Sequence, residues 1–198
     1  MTSGKPISPL PEGEGQVDNA GTMLFPRDLL VAALHARGIC YLAPTPQGDE
    51  PALNDTELII GLAASRDGRL RFALAGLLLV HPQLADLAAH LIETGDISTI
   101  SKPVPAKAWE ELKKQYVAAA YLQRLWRTRL AFRFGEQPDI PDRFAELLDL
   151  PKADVMHGEL GLRMLTDRSP YNDWSSYDQV VEMICEQPCQ TEILNDEF

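Results

Sequence analysis

Apolar residues recur along this chain at three- and four-residue steps, the spacing that lines one face of a helix. Leu29, Leu30, Ala33 and Leu34 make the first stripe. Pro26 stands where helices open, Asp28 complements the positive end, and Gly38 is a natural stop. A short extended element at most follows at Ile39 to Leu42, then a proline-rich acidic loop from Pro44 to Pro51. Asn54 and Glu57 have capping-box spacing ahead of Leu58, Ile59, Leu62 and Ala63, which predicts a second helix running to about Ala64. Asp67 and Gly68 turn the chain into a third helix, Arg69 to Val80, and Pro82 opens a fourth that ends at Gly95.

Serines and prolines from Asp96 to Pro105 read as an internal linker. Beyond it the longest apolar stripe passes through Trp109, Leu112, Tyr116, Ala119, Trp126 and Leu130, and predicts a central helix from about Ala106 to Phe134, closed by Gly135. Three shorter helices are expected at about Pro141 to Asp149, His157 to Thr166 and Ser176 to Glu186, with Ser175 and Asp178 sharing the last cap. No segment shows sustained β-branched alternation at period two, so the expected class is all-α: a compact multi-helix bundle with a long central helix and short helical hairpins.

Residues 1 to 22 are rich in Gly, Pro, Ser and Glu and hold too little apolar surface to offset their ordering entropy. They read as a disordered arm preceding a single domain, residues 23 to 190, and an acidic tail, residues 191 to 198. The longest apolar run, Phe72 to Val80, is far short of the roughly 20 residues that span a bilayer, and no signal-like apolar stretch precedes Met23. Three cysteines leave one without a partner. Together these features lead to the expectation of a cytoplasmic protein with no membrane contact.

Charge sharpens the picture. The 198 residues carry a net −11, yet between Lys102 and Gly135 eight cations face two carboxylates, a net +6. From Glu136 onward four cations face fifteen carboxylates, a net −11. Lys113, Lys114, Arg124, Arg127, Arg129 and Arg133, with Trp126 among them, could neutralise phosphates and stack a base, or could pair with the carboxylates of the C-terminal third. Tyr171, Asp173, Trp174 and Tyr177, followed by Glu182 and Glu186, have the aromatic and acidic composition of a protein-binding surface, or of a loop stapled to the core.

Motifs for chemistry are weak. His157-Gly158-Glu159 with Pro188-Cys189 resembles half of a zinc nucleobase deaminase signature, but Glu192 stands where the second cysteine belongs. Asp67 to Pro82 is similar to one unit of a HEAT-type helical repeat, and no second copy follows at a regular period. Cys185 and Cys189 are interrupted by Pro188, the four histidines are scattered, and Gly13-Glu14-Gly15 follows no strand. The expected function is therefore a non-enzymatic interaction module: an adaptor, a regulatory subunit or an antitoxin-like neutraliser. It would take another protein, a basic one being favoured by charge, on its acidic C-terminal surface and would need no cofactor or metal. The alternative is a nucleic-acid-binding regulator using the basic helix 107–133. Removal of residues 1 to 22 is expected to leave the melting midpoint nearly unchanged in a thermal melt. A fall of several degrees would make Ile7, Leu10 and Val17 docking anchors instead.

Overall fold

The computed structural model describes residues 24–43, 52–167 and 175–186. They form eight α-helices, with no strand among them: α1 (Arg27–His35), α2 (Asp55–Ala63), α3 (Gly68–Val80), α4 (Leu84–Thr94), α5 (Ala106–Leu125), α6 (Arg127–Phe134), α7 (Gly158–Asp167) and α8 (Ser175–Glu186). The all-α bundle expected from the periodicity is thus the fold.

Local chemistry sets the helix ends. Asn54 Oδ1 accepts from the Glu57 N–H at 2.9 Å and Glu57 Oε2 accepts from the Asn54 N–H at 2.9 Å, so the capping box forms in full at the start of α2. Asp67 caps α3 through the Arg69 N–H, and Gly95 closes α4 with φ +67°, a left-handed conformation that glycine adopts without penalty. Arg37 ties the first two helices together, donating to Asp55 Oδ1 at 2.7 Å and to the carbonyls of Ala33 and Leu53. Two histidines brace the same corner: the His35 ring bonds the Leu42 carbonyl at 2.7 Å and the His81 ring bonds the Arg37 carbonyl at 2.7 Å. Ile39 and Leu42 are buried without forming a strand.

Two helices make the centre. α3 is buried all round from Ala73 to Leu79, as an unbroken apolar sequence requires. α5 packs on α2, α3, α4, α7 and α8 and holds Leu112, Tyr116, Ala118, Tyr121 and Leu122 at 0% exposure. Against α5 lies α7, running antiparallel, through two glycines one turn apart. A Cβ on Gly161 would stand 2.2 Å from Tyr121 Cζ and one on Gly158 would stand 2.7 Å from Leu125 Cγ. Any side chain at Gly161 would have to displace the Tyr121 ring or lift α7 away.

Two expected helices differ. The long helix stops at Leu125, because Trp126 leaves helical geometry at φ −108° and ψ 19°, and α6 starts anew at Arg127. No proline or glycine marks this point in the sequence. The break coincides with a tertiary contact, the Trp126 indole N–H donating to Asp178 Oδ1 on α8 at 2.9 Å. Between Pro141 and Asp149 only a short 3-10 turn, Glu146–Leu148, forms. Pro151 disfavours helix at Leu150, and the carbonyls of this region serve another purpose. Tyr116 donates to the Pro141 carbonyl at 2.9 Å, Gln123 Nε2 to the Pro138 carbonyl at 2.9 Å, and Tyr121 to the Pro151 carbonyl. Gln123 Oε1 also accepts from the Ile140 N–H at 2.7 Å. Residues 138–151 are therefore strapped along α5 by its polar side chains, with Phe144 edge-on to Tyr116 at 5.0 Å. Burial pushes the Tyr116 phenol up to about 12, so it remains a hydrogen-bond donor throughout the neutral range.

Cys40 is disulfide-bonded and Cys185 is a free, half-buried thiol, so the cysteine count no longer argues for a reducing compartment. Among the described residues no helix is long and apolar enough to cross a membrane. Leu112, fully buried on the central helix, is the direct probe of this core. Leu112→Ala is expected to cost about 2 to 5 kcal/mol in denaturant unfolding; a loss under about half a kilocalorie would place Leu112 at the surface.

Candidate partner interface

The break at Trp126 turns α6 onto α8, and this corner is where the basic and acidic segments meet. Asp178, Glu182 and Glu186 fall at successive four-residue steps on α8, one stripe along the helix. Asp178 accepts the Trp126 indole N–H, and Glu186 forms a close ion pair with Arg129. Glu182, between them on the stripe, is exposed. The Arg129 guanidinium also lies 5.6 Å from the Trp126 ring centroid, adding a cation–π contact.

The other arginines of the basic segment are similarly engaged. Arg127 pairs closely with Asp139, and Arg124 donates to the Ala120 carbonyl at 3.3 Å and to Gln123 Oε1 at 3.2 Å. Arg133 sits 5.6 Å from the Phe134 ring centroid and has a further interaction. Lys113 and Lys114 are half-buried on α5. Of the six cations singled out in the sequence, only Arg127 is exposed, and it is paired. A hollow of about 440 Å³ lies on the same side of α6, lined by Arg127, Thr128, Ala131, Gly135, Gln137 and Asp139 among others. Its amides are committed elsewhere: Gln123 to the 138–140 strap, and Gln137 to the Val80 carbonyl.

Of the aromatic-acidic group, Tyr177 belongs to the core. It is 1% exposed, its hydroxyl accepts from Gln115 Nε2 at 3.3 Å, and its ring meets Phe72 edge-on at 4.9 Å. Burial raises its pKa well above the usual phenol value. A side chain so enclosed packs the domain and offers no surface to a partner, which corrects the expectation of a recognition residue there. Tyr171, Asp173 and Trp174 lie outside the described residues, as does the Ser175 side chain expected to cap α8.

Among the described residues the most exposed large apolar side chain is one that the sequence pattern does not single out. Phe132 is 94% exposed on α6, while Leu130 is 4% exposed on the same helix. The two lie about 200° apart around a helix, so a helical projection places Phe132 opposite the core-facing stripe. Met156, Val155 and Leu160, at the approach to α7 and on its first turn, are 85%, 70% and 51% exposed. The histidine of the deaminase-like fragment has a local role: His157 Nδ1 lies 2.9 Å from Asp154 Oδ1, and Asp154 also accepts the backbone N–H groups of Met156 and His157. The bond from the His157 side chain, then that from its backbone, holds the Asp154 carboxyl below its usual range. Among the described residues no group of three or more His, Cys, Asp or Glu side chains could hold a metal ion.

No protein-family model, curated protein or solved structure matches the chain.

The corner also ranks its own contacts. Trp126→Phe keeps the ring and removes the bond to half-buried Asp178, and is expected to cost about 1 kcal/mol in denaturant unfolding, since water can reach the freed carboxylate. Arg129→Gln, which breaks the pair with the 67%-exposed Glu186, is expected to stay within about 1 kcal/mol because solvent screens that pair. The reverse order would make the ion pair the principal clamp on α8.

Proposed function

We propose that this chain is a non-enzymatic protein-interaction module, an adaptor, regulatory subunit or antitoxin-like neutraliser, that receives a cationic protein on the corner formed by α6 and α8. The observation that carries this reading is the near-complete exposure of Phe132 on a helix packed against the acidic stripe of α8. An exposed aromatic supplies the anchor that dominates an interface, and Glu182 with the surrounding carboxylates supplies steering toward positive charge. The net charge of −11 speeds approach to a basic protein and slows approach to a polyanion.

The nucleic-acid alternative draws less support, because phosphates would have to displace Asp139 from Arg127 and Glu186 from Arg129. A cytoplasmic location belongs to this proposal as well and rests on composition alone.

The test takes the full chain, identifies a co-purifying protein, and repeats binding with both purified components. Phe132→Ala is expected to weaken that complex by about thirtyfold, the effect of a hot-spot truncation of roughly 2 kcal/mol. Glu182→Gln should mainly slow association and reduce its salt dependence. Neither change should lower the melting midpoint, as both side chains are exposed. Salt-sensitive retention of RNA or DNA at physiological ionic strength, lost when Arg124, Arg127, Arg129 and Arg133 become Gln in a folded protein, would replace this reading with the alternative.

A further inference from the structure

A second hollow, of about 420 Å³, opens between the α2–α3 turn and the start of α5. It takes its cations from three places: Arg66 in the turn, Arg71 on the first turns of α3, and Lys107 on the first turn of α5. One carboxylate, Glu111, lines it as well. In a protein of net charge −11, three cations around one small concavity against a single carboxylate are a local reversal of sign.

The three cations fall into two states. Arg71 is held in place: its Nη1 donates to the Ser65 carbonyl at 2.9 Å and to the Arg66 carbonyl at 3.1 Å, and its Nε lies 3.7 Å from Glu111. Glu111 is itself committed, accepting from buried Gln115 at 2.8 Å. Arg66 and Lys107 are exposed, and among the described residues neither side chain has a partner. The carboxylate of the turn, Asp67, caps α3 and pairs with Arg27, and does not line the hollow. Ser65, 5% exposed on the wall, accepts from the Asp67 N–H and keeps its hydroxyl hydrogen for donation.

The backbone adds donors at the same place. α2 and α3 are capped by side chains, whereas α5 begins at Pro105 with no side-chain cap and no acidic residue in its first turn. Of this first turn, Lys107 lines the hollow, and its amide N–H lies at the positive end of a 20-residue helix without an intrahelical acceptor. Guanidinium, ammonium, hydroxyl and amide donors around a water-accessible hollow fit a compact tetrahedral oxyanion with several acceptor oxygens.

We propose that this hollow binds a phosphoryl group, as the free anion or as a monoester, with the side chains of Arg66, Arg71 and Lys107 and the Lys107 amide as its donors. The site is separate from the α6–α8 corner, so it stands or falls independently of the partner reading. Binding to the folded chain and not to the unfolded one would raise the melting midpoint with ligand concentration, which gives a direct readout.

Calorimetric titration and thermal melts of the full chain with inorganic phosphate and with glycerol 3-phosphate, each against sodium chloride at matched ionic strength, test the site. Saturable binding is expected, weakened by about 10- to 150-fold in Arg66→Gln and in Lys107→Gln, the range for losing one charge-assisted donor. Both variants should keep the unliganded melting midpoint. A third variant moves two readouts in opposite directions: Pro105→Asp supplies the missing cap, so it should raise the midpoint without ligand and reduce phosphate affinity. Binding of phosphate alone assigns the free anion, and binding of glycerol 3-phosphate alone assigns the ester. No saturable binding of either probe at millimolar concentration, or binding that all three variants leave unchanged, overturns the proposal.

Discussion

The fold depends on a requirement imposed on α5: a helix enclosed by five others must bring polar side chains into the core, and each tip must find a partner there. Gln115, Tyr116, Tyr121 and Gln123 are all 5% exposed or less. An unsatisfied polar atom at such depth costs on the order of 1 to 3 kcal/mol, enough to matter in a domain of ordinary marginal stability. Three of these side chains resolve the requirement by taking the carbonyls of Pro138, Pro141 and Pro151. Prolines are suited to this, since they lack the N–H that would draw the chain into a helix. The irregular stretch after α6 is as much a part of the core as the helices are, through backbone acceptors where the helices contribute apolar surface. Gln115 completes only part of the pattern: its Nε2 bonds Glu111 and Tyr177, and its carbonyl oxygen is buried without a donor among the described residues.

The legible parts of the fold were those governed by neighbours in sequence. The capping box at Asn54 and Glu57, the cap at Asp67 and the glycine stop at Gly95 all operate within four residues, and their chemistry is written in the order of side chains. The break at Trp126 was illegible because its contact, Asp178, stands 52 positions away. Likewise, Pro141 to Asp149 has helical spacing, but the competing acceptor role of its carbonyls comes from α5. Gly158 and Gly161 gave no signal as packing residues, since their meaning is the identity of the rings and branches they face.

For the candidate interface the same division holds. The opposition of basic and acidic segments was plain from counting, and the pairing of Arg129 with Glu186 and Arg127 with Asp139 was not. Tyr177 looked like a surface aromatic because its polar neighbours in sequence are outside the core it enters. Phe132 is hidden in the sequence for the converse reason: the apolar content of a segment does not say which face of the helix carries it. Charge and aromaticity describe what a segment carries, and only packing decides which side of the wall it carries it on.

The glycine seat of α7 has a kinetic side. Ten residues with two glycines form a poor helix in isolation, since each glycine costs about 1 kcal/mol relative to alanine and nucleation is unfavourable. Its helical form must therefore be sustained by contact with the Tyr121 ring and Leu125, which in turn exist in place only after α5 has been built. This order would place α7 after α5 in folding and ahead of it in unfolding, with amide hydrogens that exchange before those of α5. When it lifts, the tyrosine that also holds the Pro151 carbonyl loses its cover, so opening of one helix loosens the strap beside it.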